Sequence, residues 1–134
     1  MSEFPSVKRL FPRKLTAAEV SSSDIAASME AGASLLKRGK DVGRLEVRLI
    51  GKRGSNSYTF DVLGGECRMS KGSPAESDFE VVVSEETWVE IANGDLSPVD
   101  AYLTGRMELS GDLEFAKRQY AKVMARGSAE DLPF

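Results

Sequence analysis

The stretch SEETWVEIANGDLSPVDAYLTGRMELSGD, Ser84 to Asp112, reads as helix, turn, helix, strand and turn. Ser84 can cap a first helix, because its hydroxyl accepts from a backbone N–H left orphaned in the first turn. Glu85 and Glu86 follow where the helix dipole favours negative charge, and Trp88, Ile91 and Ala92 give an apolar face at i, i+3, i+4. Asn93-Gly94 ends the helix, since both residues tolerate the left-handed conformation of a C-terminal cap. Ser97-Pro98-Val99-Asp100 starts a second helix, with a capping serine, proline at the first helical position and an acid in the first turn. Gly105 closes it. Arg106 to Ser110 then alternates apolar and polar with the period of a half-buried strand. Gly111-Asp112 turns the chain into a last helix. Gly105 and Gly111 are therefore expected at backbone angles, or at close approaches, that other residues resist.

Working outward, a helical spacing joins Ile25, Met29, Ala33 and Leu36, with Ser23 or Asp24 as cap and Lys37-Arg38-Gly39 as end. Strands follow. Leu45-Glu46-Val47-Arg48-Leu49 alternates, Lys52 to Asn56 reads as a hairpin loop, and Tyr58, Phe60 and Val62 alternate with polar residues. Gly64-Gly65 marks a tight turn, Cys67 and Met69 lie on a third strand, and Phe79 to Val83 form a fourth. Arg106 to Ser110 supplies the fifth. The last helix carries a stripe of Leu113, Ala116, Tyr120, Val123 and Met124, with Phe115 off it. The fold class predicted is α+β: a five-stranded, mainly antiparallel sheet with helices packed on one face.

Residues 1–23 form an N-terminal arm without a clean period. Lys8, Arg9, Arg13 and Lys14 interleave there with Leu10, Phe11 and Leu15. Two readings stand: an arm laid loosely over the domain, or a segment for transient contact with a membrane surface or a biosynthetic enzyme. Residues 24–126 form the domain, and 127–134 a short acidic tail expected to be flexible.

The chain has 134 residues, 41% apolar and 29% charged, with a net charge of −3 and a single cysteine. That fits one domain with a real core. An acidic balance argues against a nucleic-acid partner, whose footprint is a basic face. No apolar run approaches the roughly 18 residues of a membrane span, and no apolar leader is visible. With no histidine, the commonest general base and metal ligand is missing. No P-loop or dinucleotide glycine motif occurs, and the carboxylates fall at helix starts, in turns or on wet faces. No catalytic residue, metal or cofactor is expected. Cys67 reads as a small core residue, with a reactive thiol as the other reading because Arg68 and Lys71 are near in sequence.

What remains is apolar surface: Trp88, Ile91, Tyr102, Leu103, Met107, Leu109, Phe115, Tyr120 and Met124 gather in the final third. The run Gly94-Asp95-Leu96-Ser97-Pro98, then Ala101-Tyr102, then Gly105 to Asp112, resembles the sterol carrier protein 2 family. Asp78 to Glu86, a strand running into a serine-acid-acid helix start, resembles it too. The resemblance implies helices over one sheet face enclosing an apolar tunnel, and non-catalytic binding or carriage of a lipid or other hydrophobic molecule. It implies Trp88, Ile91, Leu103 and Met107 on the tunnel wall, and Phe115, Tyr120 and Met124 at its lid. A pocket of at least roughly 300 Å³ is expected. Leu132-Pro133-Phe134 departs from the peroxisomal address of eukaryotic members, which points to a cytoplasmic protein.

Three other readings compete, the plainest being a purely structural or regulatory domain with a filled core. The same cavity suits an accessory protein that holds or sequesters a hydrophobic intermediate or secondary metabolite, such as a quinone or polyketide, including self-resistance. A small isomerase or cyclase would have only carboxylates, Tyr and Lys to work with, and would need a buried acid with a raised pKa in the cavity.

Overall fold

Local signals decide where the elements start. In the computed structural model, which describes residues 4–52 and 54–125, the order is α1 (Ser22–Leu35), β1 (Val42–Gly51), β2 (Gly54–Leu63), β3 (Cys67–Lys71), β4 (Phe79–Ser84), α2 (Glu85–Ala92), α3 (Pro98–Leu103), β5 (Met107–Gly111) and α4 (Leu113–Val123). Ser84, Ser97 and Asp112 cap α2, α3 and α4, each accepting from the N–H three residues on. α1 begins earlier than its apolar spacing implies. Its cap is Ser21, and Asp24 reaches back to the Ser21 N–H at 2.9 Å, so the two close a capping box. Gly105 and Gly111 take φ of +78° and +114°, as their places at the ends of α3 and β5 require.

The strands form one mixed sheet in the order β3-β2-β1-β4-β5. Neighbours pair antiparallel except β1 and β4, which run parallel with Leu45 opposite Phe79 and Leu49 opposite Val83. The sheet is thus mainly antiparallel with one parallel pair. The β1–β2 ladder extends to Gly51 opposite Gly54. Ser55 and Asn56 therefore belong to strand β2, and the loop expected over Lys52 to Asn56 shrinks to two residues, of which Arg53 lies outside the described ones.

Strand alternation divides the sheet into two faces. Val47, Leu49, Tyr58, Phe60, Val62, Phe79, Val83 and Met107 are buried toward the helices. Arg44, Asp61, Arg68, Glu80 and Glu108 point the other way. On that outer face Glu46 is buried, accepting from Ser73 Oγ at 3.1 Å and from Arg48 at 3.4 Å. Burial pushes its carboxyl up, but hydrogen bonds with Ser57, Ser73 and Glu80 and the charge of Arg48 outweigh this, and the net shift is downward.

Two parts of the core differ from the sequence reading. On α4, Phe115 is buried and Leu113 is exposed, the reverse of the expected stripe. The cause lies on β1: Gly43 has no side chain, and the Phe115 ring occupies the space where its Cβ would be, 2.4 Å from the nearest ring carbon. The N-terminal arm is not loose. Val7, Leu10, Phe11 and Leu15 are core residues, while Lys8, Arg9, Arg13 and Lys14 remain exposed. The arm's backbone is tied down by Lys8 N to Val123 O at 2.8 Å, Leu10 N to Ala92 O at 2.7 Å and Ala125 N to Ser6 O at 2.8 Å. Asn93 completes the strap. Its amide donates to Leu15 O at 2.7 Å and accepts from Leu15 N at 3.0 Å, both buried. The tail at 127–134 lies outside the described residues. Among the described residues no helix is long and apolar enough to cross a membrane.

Candidate functional site

Between the helices and the inner sheet face lies an apolar cavity of about 160 Å³. Its floor is built by strand alternation, with Leu45 and Val47 of β1, Phe60 of β2, Phe79 and Val81 of β4, and Met107 and Leu109 of β5. Trp88 and Ile91 reach it from α2, three residues apart and so on one helix face. The first turn of α3 adds Pro98 and Val99. Ala116, Tyr120 and Val123, spaced four and three, bring one face of α4 over it, and Val7 and Leu10 close it from the arm.

Of the seven residues named for the site, the structure brings Trp88, Ile91, Met107 and Tyr120 together on this lining. Leu103 is the last residue of α3 and is 55% exposed, so the first turn of that helix takes its place. Phe115 is buried on Gly43, about 100° around α4 from Ala116. Met124 is buried beyond the end of α4, bridged to Val7. The floor residues were readable from their period of two. Val7 and Leu10 were not, because the arm has neither strand nor helix spacing.

The volume is also smaller than the roughly 300 Å³ expected. Val7 and Leu10 of the arm form part of its boundary. A dry cavity near 150 Å³ accepts a molecule the size of benzene. A second hollow of about 440 Å³ surrounds Arg48, Ser55, Ser57, Lys71 and Ser73, but its lining is polar.

The few polar groups at the apolar cavity are mostly committed. The Trp88 indole N–H donates to Ser28 Oγ at 3.0 Å, and Ser28 donates onward to Ile25 O at 2.6 Å. The Tyr120 hydroxyl donates to Pro5 O, and burial raises its pKa. Gln119 donates to Asp41 Oδ2 at 3.2 Å and accepts from Lys122 at 2.8 Å. Lys117 is the single charged residue on the lining.

The remaining chemistry is sparse. No acid lines the cavity. The buried acid Glu46 lies on the opposite sheet face with its pKa lowered, which is not the setting an isomerase or cyclase needs. The Cys67 thiol is buried and pushed up to about 11, chiefly by desolvation, so it is a poor nucleophile. Among the described residues no group of three or more potential ligands could hold a metal ion.

The helices roof the inner sheet face over this apolar cavity. The SCP-2 sterol transfer family matches residues 24–123. The chain belongs to that family. Among solved structures, palmitated SCP2L2 from Aedes aegypti is 23% identical, with 67% of this chain and 85% of that one covered and a TM-score of 0.59. The crystal structure of Sterol Carrier Protein 2 Like 2 from the same mosquito is 24% identical, covering 70% and 94%, with a TM-score of 0.56. The inverting sec-alkylsulfatase Pisa1 from Pseudomonas sp. is 14% identical, with 83% of this chain matched to only 17% of the enzyme and a TM-score of 0.58. At these identities the likeness is one of fold. No curated protein matches the chain.

Proposed function

We propose that this protein is a non-catalytic carrier that shields a hydrophobic small molecule from water in the cavity between helices and sheet. The observation that carries this reading is the lining itself. It is apolar except at Lys117 and Gln119 of α4, and the Trp88, Tyr120 and Gln119 polar groups are paired with other protein groups. Such a wall offers a ligand contact area and little directional chemistry, which suits carriage. The family and the palmitated mosquito relative support a lipid as cargo.

The size of the cavity adds a condition. At about 160 Å³ it holds a ring-sized group. A long acyl chain needs Val7 and Leu10 to withdraw. In this reading residues 1–23 act as a closing arm on the domain at 24–126, and their exposed cations meet an anionic membrane surface or a biosynthetic enzyme in the cytoplasm when cargo is exchanged. The same volume favours a second reading, an accessory protein holding a compact biosynthetic intermediate such as a quinone.

Trp88 tests the reading directly, being the only tryptophan and on the lining. Its fluorescence is expected to change saturably as a fatty acid or a small quinone is added, and Trp88→Phe is expected to fold and bind with affinity altered by about 1–2 kcal/mol. If neither ligand binds by fluorescence or calorimetry, the carrier function fails.

A further inference from the structure

One polar group on the lining is left with a partner it can exchange. Lys117 of α4 is a lining residue with its side chain 22% exposed, and its ammonium lies 3.6 Å from Glu114 Oε1, one turn back on the same helix. That carboxylate is 76% exposed. Such a pair is worth little, because water competes for both charges. A lysine that lines an apolar cavity and pairs with an exposed carboxylate is placed to cover apolar surface with its stem and to hold its head toward water. No Asp or Glu lines the cavity to oppose it.

We propose that Lys117 selects the ligand by its polar end: amphiphiles that terminate in an anion, a carboxylate or a phosphate monoester, are bound in preference to neutral ones. This rests on the carrier reading of the same cavity. An anionic head at the rim replaces Glu114 as the partner of Lys117, while its apolar body enters the lining between Trp88 and Tyr120. The trade is favourable because a ligand held by its apolar body loses less freedom than the mobile Glu114 side chain does in pairing with Lys117. A neutral head gains nothing comparable, and a cationic head is repelled.

The test compares hexanoate, hexyl phosphate and hexanol, about the chain length a cavity of this size accommodates, by Trp88 fluorescence and NMR titration. The wild-type protein is expected to bind one or both anions about tenfold more tightly than hexanol, the scale of one charge-assisted contact. Comparing the two anions shows which head fits. Lys117→Met is expected to collapse the anion-to-alcohol ratio toward one, Lys117→Arg to retain it, and Glu114→Gln to raise anion affinity by freeing the ammonium. Thermal melts establish that each variant folds. Equal binding of all three probes by the wild type, or a ratio unchanged in Lys117→Met, overturns the assignment and leaves the carrier reading standing. Binding of none of the three also overturns the assignment, while the carrier reading is decided separately by the fatty-acid and quinone titrations.

Discussion

The ring of Phe115 lies where a side chain on Gly43 would have to be, so helix α4 meets β1 in the space left by a side chain that is absent. A Cβ built on Gly43 comes within 2.4 Å of the ring. The backbone of Gly43 is not left-handed, so the glycine is there for space. Gly43→Ala is expected to destabilise the fold by about 1–3 kcal/mol through overpacking, and Phe115→Ala by about 3–5 kcal/mol through the cavity it leaves. Combining Gly43→Ala with Phe115→Leu is expected to cost less than the two changes summed, because the smaller side chain makes room. Additive costs in urea denaturation would show that the two residues are not in one packing unit.

Gly105 and Gly111 separate two reasons for glycine. Gly105 has φ of +78° with open space beyond it, whereas a Cβ on Gly111 would lie 2.3 Å from Asp78 O as well as at φ +114°. Gly105→Ala is expected to cost about 1–3 kcal/mol, the range for a strained backbone site. Gly111→Ala is expected to cost clearly more, since it must also move β4. The order of the two denaturation midpoints is the measurement.

Asp41 gives the fold an acid-sensitive tie. It meets Arg118 at 2.9 Å, Lys122 at 3.2 Å and Gln119 at 3.2 Å, all on α4. Burial alone raises its pKa, but the hydrogen bonds from Lys122, Gln119 and Arg118 outweigh burial, and the folded value lies below the ordinary 3.8. A depressed carboxylate stabilises the fold fully above its unfolded pKa and loses that contribution as pH falls through the folded value. Asp41→Asn is expected to cost about 1–3 kcal/mol at neutral pH and to flatten stability against pH below about 4. An acid limb as steep as that of the wild type would assign the dependence to other carboxylates.

The arm can be released at one residue. Asn93→Ala leaves the Leu15 N–H and C=O without their partner inside the protein, at about 1–3 kcal/mol for each group that stays dry. Hydrogen exchange is expected to rise at Leu10 and Lys8 before it rises in the sheet. Binding of a long-chain fatty acid is expected to tighten if the arm is what limits the cavity. Unchanged exchange at those amides would mean that Val7 and Phe11 hold the arm without the strap.

These positions mark where the sequence was legible. Ser84, Ser97, Asp112 and Gly105 act on residues three or four away, so their roles appear in the chain itself. The inward faces of the strands followed from alternation, which is why the sheet floor of the cavity could be read. Gly43 and Phe115 are far apart in the chain, and a glycine within a strand carries no sign of which ring will cover it. The arm is harder still. Over residues 6–15 its backbone groups bond to Ala92, Asn93, Val123 and Ala125 of the domain, so no internal period is needed there and none is present. Leu103 was misplaced for a related reason: its composition suits a wall, but α3 stops at that residue.

The position of β4 also sets a sequence of events for a nascent chain. β1, β2 and β3 are consecutive neighbours and can pair as they are made, but the other edge of β1 must wait for residues 79–84. Until then β1 shows an open row of N–H and C=O groups flanked by Leu45, Val47 and Leu49, a template on which another unfinished copy can add a strand. β5 has no place at all before β4 arrives. Closing this long crossover is the slow, entropy-costly step. A substitution that delays β4, such as one at Val81 or Val83, is therefore expected to reduce soluble yield during synthesis by more than its effect on the finished fold would account for.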